Sequence, residues 1–132
     1  MKILVAEDNK MDRVLLERIL THGGYEVISA DTSDKALGAY RAGGIRIALL
    51  DWMLPSIGGI TLTKEMREID LNGGRYCIIV MVTAKARKED MLRALESGVD
   101  DFISKPVDEA LLLAKLKALL RLADGVIKTK GV

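Results

Sequence analysis

Cysteine is nearly absent: the 132-residue chain has one, Cys77. A lone thiol cannot close an intramolecular disulfide, so a bridge-stapled secreted scaffold is excluded. Its apolar neighbours in residues 78–82 make it a small buried hydrophobe in a reducing, cytosolic setting. An excess of one charge is also missing. Lys and Arg number 20 against 19 Asp and Glu, a net +1, which argues against reading nucleic acid or an anionic membrane by bulk electrostatics. No apolar run reaches the roughly 18 residues a membrane span needs. The opening run at residues 3–6 is cut short by Glu7 and Asp8, so it is no signal peptide. Histidine is represented only by His22, beside Gly23, where it suits the carbonyl end of a helix better than a metal or a reaction.

What is present is a repeating alternation. Short aliphatic and β-branched runs at residues 2–6, 25–29, 46–50, 76–82 and 101–104 read as strands, several of them apolar on both faces. Between them lie segments with one-sided apolar spacing: Leu15, Leu16, Ile19 and Leu20; Ala36, Leu37 and Tyr40; Leu62, Met66 and Ile69; Met91, Leu92 and Leu95; Leu112, Leu116, Leu119 and Leu120. Glycines at Gly23, Gly43, Gly74, Gly98 and Gly125 follow these segments and read as helix stops. The expectation is one α/β domain, a (βα)5 flavodoxin-like fold with a parallel sheet of order 2-1-3-4-5 and helices on both faces. Residues 1–122 form that domain, and 123–132 read as a tail or a truncated linker. A second apolar line on the last helix, Leu111, Ala114, Ala118 and Leu122, reads either as ordinary exposed leucines and alanines or as a partner-facing surface.

Ligands of open α/β sheets collect at the carboxyl ends of the strands. The first strand ends in Glu7 and Asp8, the third in Asp51, the fourth in Thr83 and Ala84, the fifth in Lys105 and Pro106. Two carboxylates roughly 5 Å apart repel by about 3 kcal/mol at an effective dielectric near 20, so this cluster invites a cation. Magnesium suits it, because that ion takes oxygen ligands and is typically held by one or two carboxylates plus phosphate. With Lys105 on the far side, Asp51 becomes a candidate covalent phosphoryl acceptor. Magnesium would then neutralise one equatorial oxygen of the transition state and Lys105 a second, and the Thr83 hydroxyl with the Ala84 amide would satisfy the third.

These residues resemble the response-regulator receiver domain of two-component signalling. The resemblance rests on Glu7-Asp8, the run 51–55 with Gly59 after it, Thr83-Ala84, and Asp101-Phe102 ahead of Lys105-Pro106. It implies that Asp51 is phosphorylated by a sensor histidine kinase or phosphotransfer protein, and that Glu7, Asp8, Asp51 and the Met53 backbone carbonyl hold magnesium. It also implies Thr83 and Phe102 as a switch pair, a cis Lys105-Pro106 bond, and Met53 and Lys85 flanking the route of attacking water. The output would be the face of the fourth helix, fifth strand and fifth helix, through a phosphorylation-dependent homodimer or an output domain outside this chain. The chain would be a cytoplasmic signalling phosphoacceptor that assists its own phosphorylation and dephosphorylation, not a turnover enzyme.

Two departures from the resemblance are Gly58, where many relatives carry an acid, and Val107, where an aromatic often follows the proline. Trp52, in the loop after Asp51, reads as partly exposed. A haloacid-dehalogenase-like phosphatase would want a second aspartate at the position of Met53, and a silent module would not keep Asp51, Thr83 and Lys105 together. A flavodoxin-like cofactor protein is disfavoured because no glycine-rich loop follows the first strand.

Overall fold

The computed structural model describes residues 1–74, 76–84 and 87–130, with side chains as far as residue 125. Strands β1 (Lys2–Ala6), β2 (Glu26–Ala30), β3 (Ile45–Leu50), β4 (Ile78–Thr83) and β5 (Asp101–Ser104) alternate with helices α1 (Lys10–His22), α2 (Ser33–Arg41), α3 (Gly59–Gly73), α4 (Lys88–Ser97) and α5 (Glu109–Lys130). The sheet is parallel throughout, in the order β2-β1-β3-β4-β5. That is the doubly wound topology the alternation predicts, with β2 starting one residue and β4 two residues later than the apolar runs.

Strand residues alternate between two cores because successive side chains point to opposite faces. Ile3, Val5, Ile47, Leu49, Val80 and Val82 pack with Leu16, Leu20, Leu112 and Leu116 of α1 and α5. Leu4, Ala6, Ala48, Leu50, Ile79 and Met81 pack with Leu37, Leu62 and Met66 of α2 and α3. Both faces are therefore covered, which is why these strands read as unbroken apolar runs. Cys77 lies in the second of these cores, and burial pushes its thiol up to about 12, so it is an inert hydrophobe.

The helix boundaries follow local chemistry. Asn9 caps α1 by accepting from the Asp12 amide at 2.9 Å, and Thr32 caps α2 by accepting from Lys35. Gly74 and Gly98 end α3 and α4 in the left-handed conformation that glycine adopts without strain. Gly58 caps α3 without a side-chain bond, the consequence of its having no acid. Gly125 does not stop α5, which continues to Lys130.

α4 departs from the sequence expectation. Only Ala94 is buried; Met91, Leu92 and Leu95 are 39%, 48% and 49% exposed. The apolar spacing is real, but the stripe faces outward because α4 covers the sheet near its β5 edge and touches the core only through a small side chain. On α5, Leu111 and Leu122 of the second line are likewise exposed.

A buried polar network ties the opposite end of the sheet together. Arg67 of α3 donates to Asp70 Oδ2 (3.1 Å), Cys77 O (2.6 Å), Gly98 O (2.7 Å) and Asp100 Oδ2 (2.8 Å), and its guanidinium lies over the Tyr76 ring. Tyr40 donates to Asp70 and Tyr76 to Asp100. Burial works against the Arg67 charge, yet the flanking carboxylates outweigh it and hold its pKa above the ordinary value.

Candidate functional site

Asp51 follows β3 directly, and its amide continues the ladder to Ala6 O at 3.0 Å. The Glu7 amide likewise continues to Ala30 O at 3.0 Å. Neighbouring parallel strands that each run one residue further in this way must end with their acids side by side. One carboxylate oxygen each from Glu7, Asp8 and Asp51 lies within 4.8 Å of the others. Glu7 is 1% exposed and Asp51 8%, whereas Asp8 is exposed. β5 delivers the counter-charge. The Lys105 amide bonds Thr83 O at 3.0 Å, and its ammonium reaches Glu7 Oε1 (2.6 Å), Asp51 Oδ2 (2.9 Å) and Asp12 Oδ2 (2.9 Å). The Lys105–Pro106 peptide bond is cis.

Electrostatics follow from that geometry. Burial pushes Glu7 up to about 7; the Lys105 ammonium and the Asn9 amide oppose this, and neighbouring Asp51 adds to it. Burial also works against the charge on Lys105, but its three carboxylate partners outweigh this and raise its pKa above the usual lysine value. Asp51 is oriented at both oxygens: Oδ2 faces the ammonium and Oδ1 accepts from the Met53 amide at 3.2 Å. The clustered donors are all hard carboxylate oxygens, one of them exposed, which matches the preference of magnesium for oxygen ligands and retained water.

The remaining candidates fall on or after β3, β4 and β5 in the chain. Thr83 is buried at the end of β4, and Ala84 after it is exposed. Phe102 is half-buried against the α2–α4 core, and Met53 is exposed. Lys85 lies outside the described residues. Trp52 corrects the expectation of partial exposure: it is 7% exposed, its ring packed in the core, with the Arg93 guanidinium of α4 over it at 5.6 Å to the centroid. Its bulky apolar ring, one residue beyond the strand, folds inward rather than into solvent.

Asp12 was not singled out from the sequence. It sits in the first turn of α1, where an acid reads as an ordinary partner of the helix dipole. The available signal was its place one helical turn after Asp8, which brings it to the same strand ends.

The loop after Asp51 is held tightly. Ser33 donates to Pro55 O (2.9 Å) and accepts from the Ile57 amide (2.8 Å), and Ser56, at φ 80°, donates to Asp34. The Gly59 amide bonds Trp52 O at 2.8 Å. A Cβ on Gly59 would lie inside contact distance of the Asp51 carbonyl oxygen and 3.1 Å from Trp52 Cα, so only glycine lets α3 start this close to the acid.

Comparison with known proteins agrees with the fold. The phosphate regulon transcriptional regulatory protein PhoB of Escherichia coli is 35% identical over 136 residues, covering 99% of this chain and 58% of that protein. Hybrid signal transduction histidine kinase I of Dictyostelium discoideum is 39% identical over 116 residues, covering 84% of this chain and 7% of that protein. The chain thus spans little more than half of the first of these relatives and a small part of the second. Among solved structures, a CheY-like response regulator receiver domain protein from Methanospirillum hungatei superposes with a TM-score of 0.85 at 29% identity, over 94% of this chain and 96% of that one. A family-wide sequence description, the response regulator receiver domain, matches residues 3–117, and the chain belongs to that family.

Proposed function

We propose that Asp51 is the phosphoacceptor of this receiver domain, and that phosphorylation there changes the surface offered by α4, β5 and α5. The observation that carries the reading is the contact of one ammonium, Lys105, with Asp51, Glu7 and Asp12, beside three converging carboxylates. The ammonium neutralises incoming negative charge on one side, and a cation held by the carboxylates would do so on the other, without moving the acceptor.

In the forward step an Asp51 carboxylate oxygen attacks the phosphorus of a phosphohistidine on a sensor kinase or phosphotransfer protein. The phosphorus–nitrogen bond breaks and the imidazole leaves as a neutral base after taking a proton. In the separate dephosphorylation step, water attacks the phosphorus of the acyl phosphate, the bond from phosphorus to the Asp51 oxygen breaks, and inorganic phosphate leaves with Asp51 restored as carboxylate, so the chain assists both its phosphorylation and its dephosphorylation. Glu7, Asp8, Asp51 and the Met53 carbonyl would hold a magnesium ion, which when bound supplies positive charge to the phosphoryl oxygens. Lys105 leaves its salt bridges with Glu7 and Asp12 to meet the phosphoryl group, and Thr83 with the Ala84 amide serves another oxygen. Thr83 drawn inward frees space for the Phe102 ring.

The donor docks where the acid is nearest the surface. The outer side of α1 exposes Met11, Val14 and Leu15 beside the cleft that Asp12, Lys105 and Val107 line. The output face is on the other side of β5. Lys115 bonds Phe102 O at 2.9 Å, which sets the stripe of Leu111, Ala118 and Leu122, one and two turns away along α5, against the β5 edge. On α4, Arg93 and Leu95 lie about 160° apart around the axis; with Arg93 turned to Trp52, the exposed Leu95 and Met91 lie on the far side of the helix from that contact. Acidic Glu89 and Glu96 on α4 and basic Lys117 and Arg121 on α5 fit a two-fold pairing with a second copy. Residues 1–122 form the receiver and 123–132 a tail or linker. No helix among the described residues is long and apolar enough to cross a membrane, and a cytoplasmic location with no direct nucleic-acid contact by this domain completes the reading.

The test is intact mass after incubation with magnesium and acetyl phosphate. Wild type gains one phosphoryl group and Asp51→Asn gains none; a gain in Asp51→Asn, or none in wild type even with a kinase, contradicts the reading.

A further inference from the structure

α4 is weakly held for a helix on a packed sheet. It buries one side chain, Ala94, and its N-cap, Arg87, makes no side-chain cap bond. Its C-terminal end is fastened: Gly98 and Val99 bond back to Leu95 O and Ala94 O, and Arg67 donates twice to Gly98 O, at 2.7 and 3.0 Å. Away from that end, the Arg93 guanidinium lies over the Trp52 ring, a contact between α4 and the phosphoacceptor loop. Trp52 is the residue next to Asp51, is buried in the core, and shares its backbone with the Gly59 amide bond that sets the start of α3.

We propose that Arg93 is a positioning residue for the switch: its stacking on Trp52 latches α4 in the arrangement that goes with unmodified Asp51. The inference rests on the phosphoacceptor reading and adds to it a route from Asp51 to α4 that does not pass through Thr83 or Phe102. The latch goes with the arrangement in which the Lys105 ammonium spans Asp51, Glu7 and Asp12, contacts that the proposed phosphoryl contact of Lys105 would replace. A helix fastened at Gly98 and released at Arg93 pivots about its C-terminal end, which moves Met91, Leu92 and Leu95 together. A contact that exists only in the resting arrangement opposes any ligand selecting the other one, by its own free energy.

Beryllofluoride with magnesium, titrated by calorimetry, reads that opposition directly. A cation–π contact at a partly exposed site corresponds to roughly a two- to fivefold change in affinity. Arg93→Ala is expected to bind beryllofluoride about two- to fivefold more tightly than wild type, and Arg93→Lys to fall between. In the Trp52→Phe background, Arg93→Ala should add less than it does alone, because the two residues form one contact. Arg93 is exposed, so the Arg93 variants are expected to stay folded and lose no more stability than this contact supplies, whereas Trp52→Phe, at a buried position, melts lower and serves as its own reference. Unchanged or weaker binding by Arg93→Ala overturns the latch, weaker binding marking Arg93 instead as a phosphoryl ligand, and strictly additive effects overturn it as well. A wild type that binds no beryllofluoride while its melt is normal overturns the phosphoacceptor reading itself, and the latch with it.

Discussion

Gly59→Ala tests the coupling between fold and site most sharply. The new methyl would meet the Asp51 carbonyl oxygen inside contact distance, and would lie 3.1 Å from both the Asp51 carbonyl carbon and Trp52 Cα, where ordinary contact begins at 3.4 Å. All three atoms are backbone, so nothing flexible can swing away. Alanine favours a helix over glycine by up to about 1 kcal/mol, less in a first turn. Overpacking against rigid neighbours costs about 1–3 kcal/mol, so the net expectation is a destabilisation of about 1–2 kcal/mol. The site suffers more than the fold. α3 must retreat, the Gly59 to Trp52 bond lengthens from 2.8 Å, and Asp51 turns relative to Lys105. A misplacement on the order of 1 Å costs about a hundredfold in rate. Urea melts and initial phosphorylation rates with acetyl phosphate, measured beside Gly58→Ala, give the readout. At Gly58 the nearest atom to a Cβ is 3.3 Å away, so that variant should keep most of its rate. A Gly59→Ala protein as stable and as fast as wild type would refute the argument.

Other outcomes follow from the same coordinates. Glu7 holds its proton to about pH 7 when folded, against an ordinary 4.5, so the folded state binds more protons than the unfolded state across that interval. Magnesium-free protein should therefore lose stability as pH rises from about 4.5 to about 7, by on the order of 1–3 kcal/mol, and Glu7→Gln should flatten the slope in denaturant melts; parallel curves would contradict it. Arg67→Met leaves Asp70, 5% exposed, and Asp100 without their cation, and should cost about 3–5 kcal/mol in urea unfolding; a loss below about 1 kcal/mol would show the network to be ornamental. Leu95→Glu should leave stability within about 0.5 kcal/mol of wild type yet abolish a beryllofluoride-induced mass increase in sedimentation, and a dimer that survives it would place the interface elsewhere.

The charged groups at the sheet's edge were legible because each follows a strand run: Glu7 after Ala6, Asp51 after Leu50, and Lys105 after Ser104 of the short β5. Parallel strands then align such positions without further information. Helix direction was not legible in the same way. The spacing of Met91, Leu92 and Leu95 states that α4 is amphipathic, not which side meets the sheet, and at an edge the two come apart. Trp52 shows the converse, a loop residue drawn into the core by its own size. The Arg67 network escaped because its members, from Tyr40 to Asp100, obey no spacing; only the fold brings them into reach. Asp12 escaped because its local role as a first-turn acid was already sufficient.

The central claim is a covalent bond at one atom group, and borohydride reduction reads it most directly. Aspartyl phosphate is reduced to homoserine, whereas phosphohistidine and phosphoserine are not, so tandem mass spectrometry of the phosphorylated and reduced chain locates the acceptor. The account predicts homoserine at position 51 and at no other acid, dependent on magnesium. Homoserine at Glu7, Asp8 or Asp12 is chemically excluded or misplaced on this account, and a label at Asp8 or Asp12 with Asp51 untouched would contradict it.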